Sequence, residues 1–398
     1  MVEEAEIDDR MSWPRTRDLR HADRYRLQTM RIEKIEVRQI SLPLVTPFRT
    51  SQATEYERNL IILQVHTDLG VGWAECSADD RPVYWADYLT GALDVLRTVI
   101  APELFAAGEL TPPRVGEVLG HIKGHRVVKS AVEMGLLDAW LRAAGMSLSD
   151  YLGGTRPAVP VGVSVSIKDS VGELLDQLDE YLAAGYARIK LKIEPGKDIA
   201  VVRAVREHLG DDVLLQVDAN AAYTLADAPT LARLDEFALT LIEQPLVWDD
   251  LRGHARLAQL IRTPICLDES ITSARSAADA IAYGACRVIN IKPSRVGGYL
   301  EARRIHDVCQ ANQIPVWCGG MLESGIGRAA NLALAALPGF TLPGDISATA
   351  RYFEADITRD FTLTGGLMTL PTGPGIGVDP IPERLERVTV ARETLRPS

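Results

Sequence analysis

RIKLKIEPGKDIAVVRAVREHLGDDVLLQVD (188–218) joins two short apolar runs through a longer stretch of mixed character. Its middle carries Val201, Val202, Val205 and Leu209 at helical spacing. The two short runs lack the alternation of a half-solvated strand. They are rich in Val, Ile and Leu, as strands buried on both faces are. A parallel strand needs a crossover before the next can pair in the same sense, and a helix is the usual crossover. The stretch reads as strand, helix, strand.

Working outward, the unit recurs. The short runs are PVGVSV (160–165), RIKLKI (188–193), VLLQVD (213–218), LTLIEQ (239–244), PICLDE (264–269), VINIKP (288–293), IPVWCG (314–319) and FTLPGD (340–345). Their end markers are Ser166, Lys192, Asp218, Glu243, Asp268, Lys292, Cys318 and Gly344, spaced by 26, 26, 25, 25, 24, 26 and 26 residues. Eight β/α repeats at this nearly constant period predict a closed barrel of the α/β class rather than a doubly wound open sheet. Upstream, 30–155 reads as a separate α+β domain. IEKIEVRQISL (32–42), LIILQVHTD (60–68) and LGVGWAEC (69–76) are strands, followed by helical 87–100 and 129–145, the last stopped by Gly145. Barrel sequence fills 156–370, and a tail, 371–398, is expected to fold back on the cap.

Residues 1–29 hold seven acids and six arginines with little aliphatic pattern. They read as a solvated or disordered leader, with Met30 as a candidate true start. They fit neither a secretory nor a mitochondrial signal. The glycines of PTGPGIGVDP (371–380) are interrupted by Pro374 and followed by no helical run, so they mark a loop rather than a phosphate cradle.

Composition excludes several classes. A net charge of −11 argues against nucleic acid and anionic membranes as partners. No apolar run approaches the ~18 residues a membrane span needs. Five cysteines without a CxxC favour a reducing cytoplasm over a disulfide framework.

Barrel chemistry sits at the C-terminal ends of the strands. Asp218, Glu243 and Asp268 end three consecutive runs there. Unneutralised, three converging carboxylates repel strongly, and an oxygen-only donor set selects a hard ion, Mg²⁺ or Mn²⁺. Lys190 and Lys192 share one strand face by the period of 2, and Lys292 ends the run roughly opposite. Like-charge repulsion from Lys190, aided by burial, is expected to lower the pKa of Lys192 and suit it to act as a general base. A divalent cation flanked by lysines suits removal of a proton next to a carboxylate, with the cation stabilising the enediolate that develops.

The motifs KLK (190–192), DAN (218–220), EQP (243–245), DES (268–270) and NIKPSRVGG (290–298) resemble the enolase superfamily, muconate-lactonizing subgroup. The resemblance covers essentially all of 30–398. It implies a (β/α)₇β TIM-type barrel behind an N-terminal α+β capping domain. Lys292 in place of a His–Asp pair separates the chain from the mandelate racemase subgroup. RIKLKIEPG, LIEQPL, TPICLDESI and FTLPGDIS are similar to o-succinylbenzoate synthases that also racemise N-succinylamino acids.

That resemblance implies dehydration of a succinyl-hydroxycyclohexadiene carboxylate in menaquinone biosynthesis. N-succinylamino acid (N-acylamino acid) racemisation is the alternative. It implies Mg²⁺ on Asp218, Glu243 and Asp268, Lys192 as base and acid, and Lys292 as second lysine. Lys190, Ser164, Asn220, Arg295, Gly320, Met321 and Glu323 support the substrate site, and cap loops around 47–51 and 77–84 shape it. A small-molecule carboxylate partner and a homo-oligomer follow from the same resemblance. Dipeptide epimerases of the subgroup carry Asp-x-Asp where this chain has GDIS (344–347), so a free α-amino ligand is not expected.

Other residues read as structural. His121, His125 and His254 read as surface histidines. Cys318 reads as a buried small residue, and Trp73, Trp85, Trp140 and Trp317 as packing. Gly319 and Gly320 let backbone approach the substrate.

Overall fold

The computed structural model describes residues 28–50 and 53–397. Nearly all of the expected leader, and Ser51 of the first cap loop, lie outside them. The cap is built on an antiparallel sheet in the order Thr389–Leu395, Met30–Arg49, Thr54–Thr67, Gly70–Cys76. The tight turn at Thr67–Gly70 is closed by the Thr67 hydroxyl, which donates to the Gly70 carbonyl at 2.9 Å. Helix Arg126–Ala144 lies on this sheet. The two come so close that a Cβ on Gly72 would stand 2.1 Å from the Gly135 carbonyl oxygen. The helix stops at Gly145 in the left-handed region, φ 66°, as its sequence predicts.

The barrel strands are Val163–Val165, Arg188–Lys192, Leu214–Asp218, Ile242–Glu243, Ile265–Leu267, Val288–Ile291 and Val316–Cys318, paired in parallel in that order. Two of the expected runs differ. Of 160–165, Pro160 belongs to strand Ala158–Pro160, which pairs antiparallel with Leu367–Thr369 outside the barrel, and only Val163–Val165 joins the barrel. Gly162 lies between the two pieces, and a Cβ there would meet the Arg188 guanidinium at 2.5 Å. The eighth run, FTLPGD, is not a regular strand. It closes the barrel through single bridges, Phe340 to Val316 and Gly344 to Val161. Pro343 has no N–H to give a ladder, which breaks the run. The architecture is a curled parallel sheet of the TIM-barrel type with an N-terminal cap.

The barrel interior is partly ionic. Arg188 is buried, 2.7 Å from Asp345, and stacks on Trp317, which also faces the Lys190 ammonium at 4.9 Å. Cap and barrel are joined by buried carboxylates at helix N-termini. Glu75, from the third cap strand, accepts from Ser324 N at 3.1 Å, the Ser324 hydroxyl and Gly327 N at 3.4 Å, at the start of helix Gly325–Ala335. Burial, reinforced by Glu323, pushes the Glu75 carboxyl up to about 8. Glu133 accepts from Leu300 N at 3.1 Å, and burial pushes it up to about 7.

Candidate active site

The strand pairing sets the site. Lys192 is opposite Asp218, and Asp218 is opposite Glu243. Two residues follow these ends with positive φ, Asn220 at 43° and Gln244 at 37°, which turns their side chains back over the barrel mouth. Gln244 then splints the neighbouring strand end. Its Oε1 accepts from Asp268 N at 3.1 Å, and its amide donates to the Ser270 hydroxyl at 2.8 Å.

Cations and carboxylates interlock. Lys192 Nζ donates to Asp218 Oδ2 at 2.7 Å and Asn220 Oδ1 at 2.8 Å. Lys190 Nζ lies 2.9 Å from Glu243, 3.2 Å from Asp218 and 2.5 Å from Asp345. Lys292 Nζ donates to Asp268 Oδ2 and to the Tyr84 hydroxyl, both at 2.8 Å. Arg295 binds Asp268 Oδ1 and donates to the carbonyls of Ile271 and Asn290. Burial opposes ionisation of Asp218, but Lys192 and Lys190 outweigh it and hold the carboxyl well below its usual range. Burial raises Glu243, with Asp218 adding to it. Burial also opposes the ammonium forms of Lys190 and Lys292. Asp345, Glu243 and Asp218 overcome it for Lys190, and Tyr84, Glu243 and Glu269 do so for Lys292, so both are held above the ordinary range.

Three carboxylates surround Lys190, and both lysines share one oxygen of Asp218.

Among the described residues no three carboxylate, imidazole or thiolate groups close around a single point. Each carboxylate leans on an ammonium or guanidinium instead. The donor chemistry still fits a hard divalent cation. All three groups are carboxylates, Glu243 is crowded by Asp218, and buried Glu269, pushed up to about 7 by burial, has an Oε2 without a partner. A buried carboxylate oxygen without a partner beside three further carboxylates is a donor set that a hard cation can use.

The description "Enolase C-terminal domain-like" matches residues 173–384. The chain belongs to the enolase superfamily. It is 58% identical to an N-succinylamino acid racemase of an Amycolatopsis species, over 91% of this chain and 99% of that one. It is 44% identical to an o-succinylbenzoate synthase of Geobacillus kaustophilus, over 90% of this chain and 96% of that one. A solved member of the superfamily from Listeria innocua has TM-score 0.88 at 38% identity, covering 92% of this chain and 99% of that one. The chain is thus an enzyme of this superfamily. No helix among the described residues is long and apolar enough to cross a membrane.

A cavity of about 90 Å³ lies between this superfamily barrel and its cap. Ser164, Lys190, Lys192, Asn220, Lys292, Gly320 and Met321 line it from the barrel, and Phe48, Thr50, Glu55, Asp79 and Tyr84 from the cap loops. Asp218, Glu243 and Asp268 hold its lysines from beneath. Arg295 and Glu323 do not line it. Arg295 is buried behind Asp268, and Glu323 accepts from Asn331 at 2.9 Å. Gly319 sits against the Lys292 stem, where a Cβ would come within 2.6 Å of Cε. Ser347, in the GDIS segment, donates to the Gly162 carbonyl at 3.1 Å.

Four neighbours are given no role by the sequence reading. Asn290 donates to Glu243 at 2.7 Å, and its position two before Lys292 was a usable signal. Glu269 stands within the DES motif. Asp345 follows the residue taken as the eighth end marker. Tyr84 ends the cap loop, 77–84, expected to shape the site, but nothing in the loop singles it out as the partner of Lys292. His254 is a correction. It is buried rather than at the surface, with Nδ1 2.7 Å from the Asp250 carbonyl and Nε2 accepting from Leu246 N, and burial lowers its pKa.

Proposed function

We propose that this enzyme dehydrates a succinyl-hydroxycyclohexadiene carboxylate to o-succinylbenzoate, a carbon–oxygen lyase reaction of menaquinone biosynthesis. The observation that carries the reading is the pair Lys192 and Lys292, which enter one cavity from the second and sixth strands, each held by a strand-end carboxylate. Lys192 removes the proton alpha to the substrate carboxylate and returns it to the departing hydroxyl on the same face, releasing water. Lys292 stays protonated and faces the carboxylate as it gains electron density. Tyr84 and Asp268 keep the Lys292 ammonium fixed. Asp218, Glu243 and Asp268 would hold Mg²⁺ in this reading, with Mn²⁺ as a substitute, and a divalent cation there would supply charge neutralisation for the substrate carboxylate. Lys190, Ser164, Asn220, Gly320 and Met321 bound the substrate, and Arg295 and Glu323 support them from behind.

Racemisation of N-succinylamino acids is a second reading, favoured by the 58% identical Amycolatopsis relative. There one of Lys192 and Lys292 removes the α-proton and the other delivers its own proton to the opposite face. We read 30–155 as cap, 156–370 as barrel and 371–398 as tail, in a homo-oligomer. All five cysteines are buried free thiols, which supports a cytoplasmic setting.

The test is to supply each substrate to purified, Mg²⁺-loaded enzyme, with the racemase reaction run in D₂O. Formation of o-succinylbenzoate is expected. Racemisation without dehydration refutes the first reading, and activity on neither refutes both.

A further inference from the structure

Both proposed substrates carry a succinyl chain ending in a carboxylate. A carboxylate withdrawn from water needs a cation or a set of donors at its far end. A second compartment of about 110 Å³, between loops 165–171 and 192–197, shares Lys192 with the mouth cavity. Five lysines line the two compartments, namely Lys168, Lys190, Lys192, Lys197 and Lys292, and no arginine does.

Four of the five are committed. Lys190, Lys192 and Lys292 are tied to the site carboxylates, and Lys197 lies 3.0 Å from Glu194. Lys168 is half-buried, and no carboxylate among the described residues comes within 4.0 Å of its ammonium. The acids facing this compartment do not neutralise it, because Asp169 pairs with Arg49 at 3.0 Å and Glu194 with Lys197. Ser170 caps helix Val171–Ala183, whose positive end borders the same space. Arg351 also lacks a carboxylate partner but lines neither compartment. It is buried among the rings of Phe48, Tyr181 and Tyr352.

We infer that Lys168 is a specificity residue whose ammonium receives the terminal carboxylate of a succinyl chain threaded past Lys192 into the side compartment. This depends on the enzyme turning over succinyl substrates, as proposed above. It goes further by naming the group that separates a succinyl substrate from an acyl chain with no second charge.

The test compares Lys168→Met and Lys168→Arg with the wild type, all Mg²⁺-loaded. N-succinyl and N-acetyl derivatives of one amino acid are the substrates, with kcat and KM measured separately; where the enzyme only dehydrates, the readout is KM for the succinyl-hydroxycyclohexadiene carboxylate, expected to rise roughly 10- to 100-fold in Lys168→Met, and an unchanged KM overturns the inference. Loss of one charge-assisted contact predicts that the N-succinyl to N-acetyl ratio of kcat/KM falls roughly 10- to 100-fold in Lys168→Met, mainly through KM. Lys168→Arg is expected to keep most of the wild-type ratio. An unchanged ratio in Lys168→Met, or an equal loss on both substrates, overturns the inference while leaving the proposed reactions standing. A wild type inactive on every succinyl substrate overturns the reactions and the inference together.

Discussion

Replacing Glu75 with Gln tests the charge of one buried carboxylate at the junction of cap and barrel. In the wild type its Oε2 takes two backbone N–H groups and a hydroxyl at the start of helix Gly325–Ala335, while Oε1 has no partner. Burial and Glu323 raise its pKa from the ordinary 4.5 to about 8. A carboxyl with a raised folded-state pKa contributes stability that is present below about 4.5 and is lost as pH climbs to about 8. At about 1.4 kcal/mol per pH unit the displacement sets a ceiling of about 5 kcal/mol. Local relaxation around the ionised group dissipates part of that, leaving about 2–3 kcal/mol. Gln keeps an acceptor for the helix N–H groups and cannot ionise. Glu75→Gln is therefore expected to match the wild type near pH 5 and to exceed it by about 2–3 kcal/mol at pH 9. Urea unfolding followed by tryptophan fluorescence across that range measures the difference. Stability curves that stay parallel from pH 5 to pH 9 would show that the Glu75 charge is not what the junction strains against.

Three further outcomes are expected. Lys192→Ala should lower turnover by at least about 10²-fold in steady-state assays of either reaction, the usual worth of a general base, and appreciable activity would remove Lys192 from that role. Chelation with EDTA should abolish activity, and Mg²⁺ or Mn²⁺, but not Ca²⁺ at equal concentration, should restore it, as followed by rate and by metal titration. Gly319→Ala places a Cβ 2.4 Å from Asn290 and 2.6 Å from the Lys292 stem, so kcat should fall at least about tenfold while the far-UV circular dichroism stays that of the wild type.

Much of the barrel was legible because parallel crossovers impose a length. Asp218, Glu243, Asp268 and Lys292 fall 24 to 25 residues apart since each strand end must wait for one helix to return. The irregular parts have no such metre. FTLPGD keeps the period but cannot pair as a strand, because Pro343 lacks the N–H. PVGVSV reads as one run, yet Pro160 pairs outside the barrel and only Val163–Val165 enters it. Charge partners were harder still to foresee. That Lys190 would sit among Asp218, Glu243 and Asp345 depends on Asp345 arriving from a closing segment more than 150 residues away. The surroundings of Tyr84 and Glu75 depend on how the cap docks, which no local pattern encodes. His254 was misread because its helix, Leu251–Leu257, turns that side chain inward against the Leu246 amide.

The cap sheet has a consequence for how the chain is made. Ile35 pairs with Leu395, 360 residues apart, and the whole barrel lies between them. During synthesis the strand Met30–Arg49 has the Thr54–Thr67 strand on one side within moments. Its other side, where residues 35–40 will pair, stays unladdered until residues 389–395 leave the ribosome. For most of translation the nascent chain carries an open sheet edge, the kind of surface that recruits stray strands. Chaperone dependence and inclusion-body yield should therefore track the integrity of 389–395 more closely than any barrel strand of similar length.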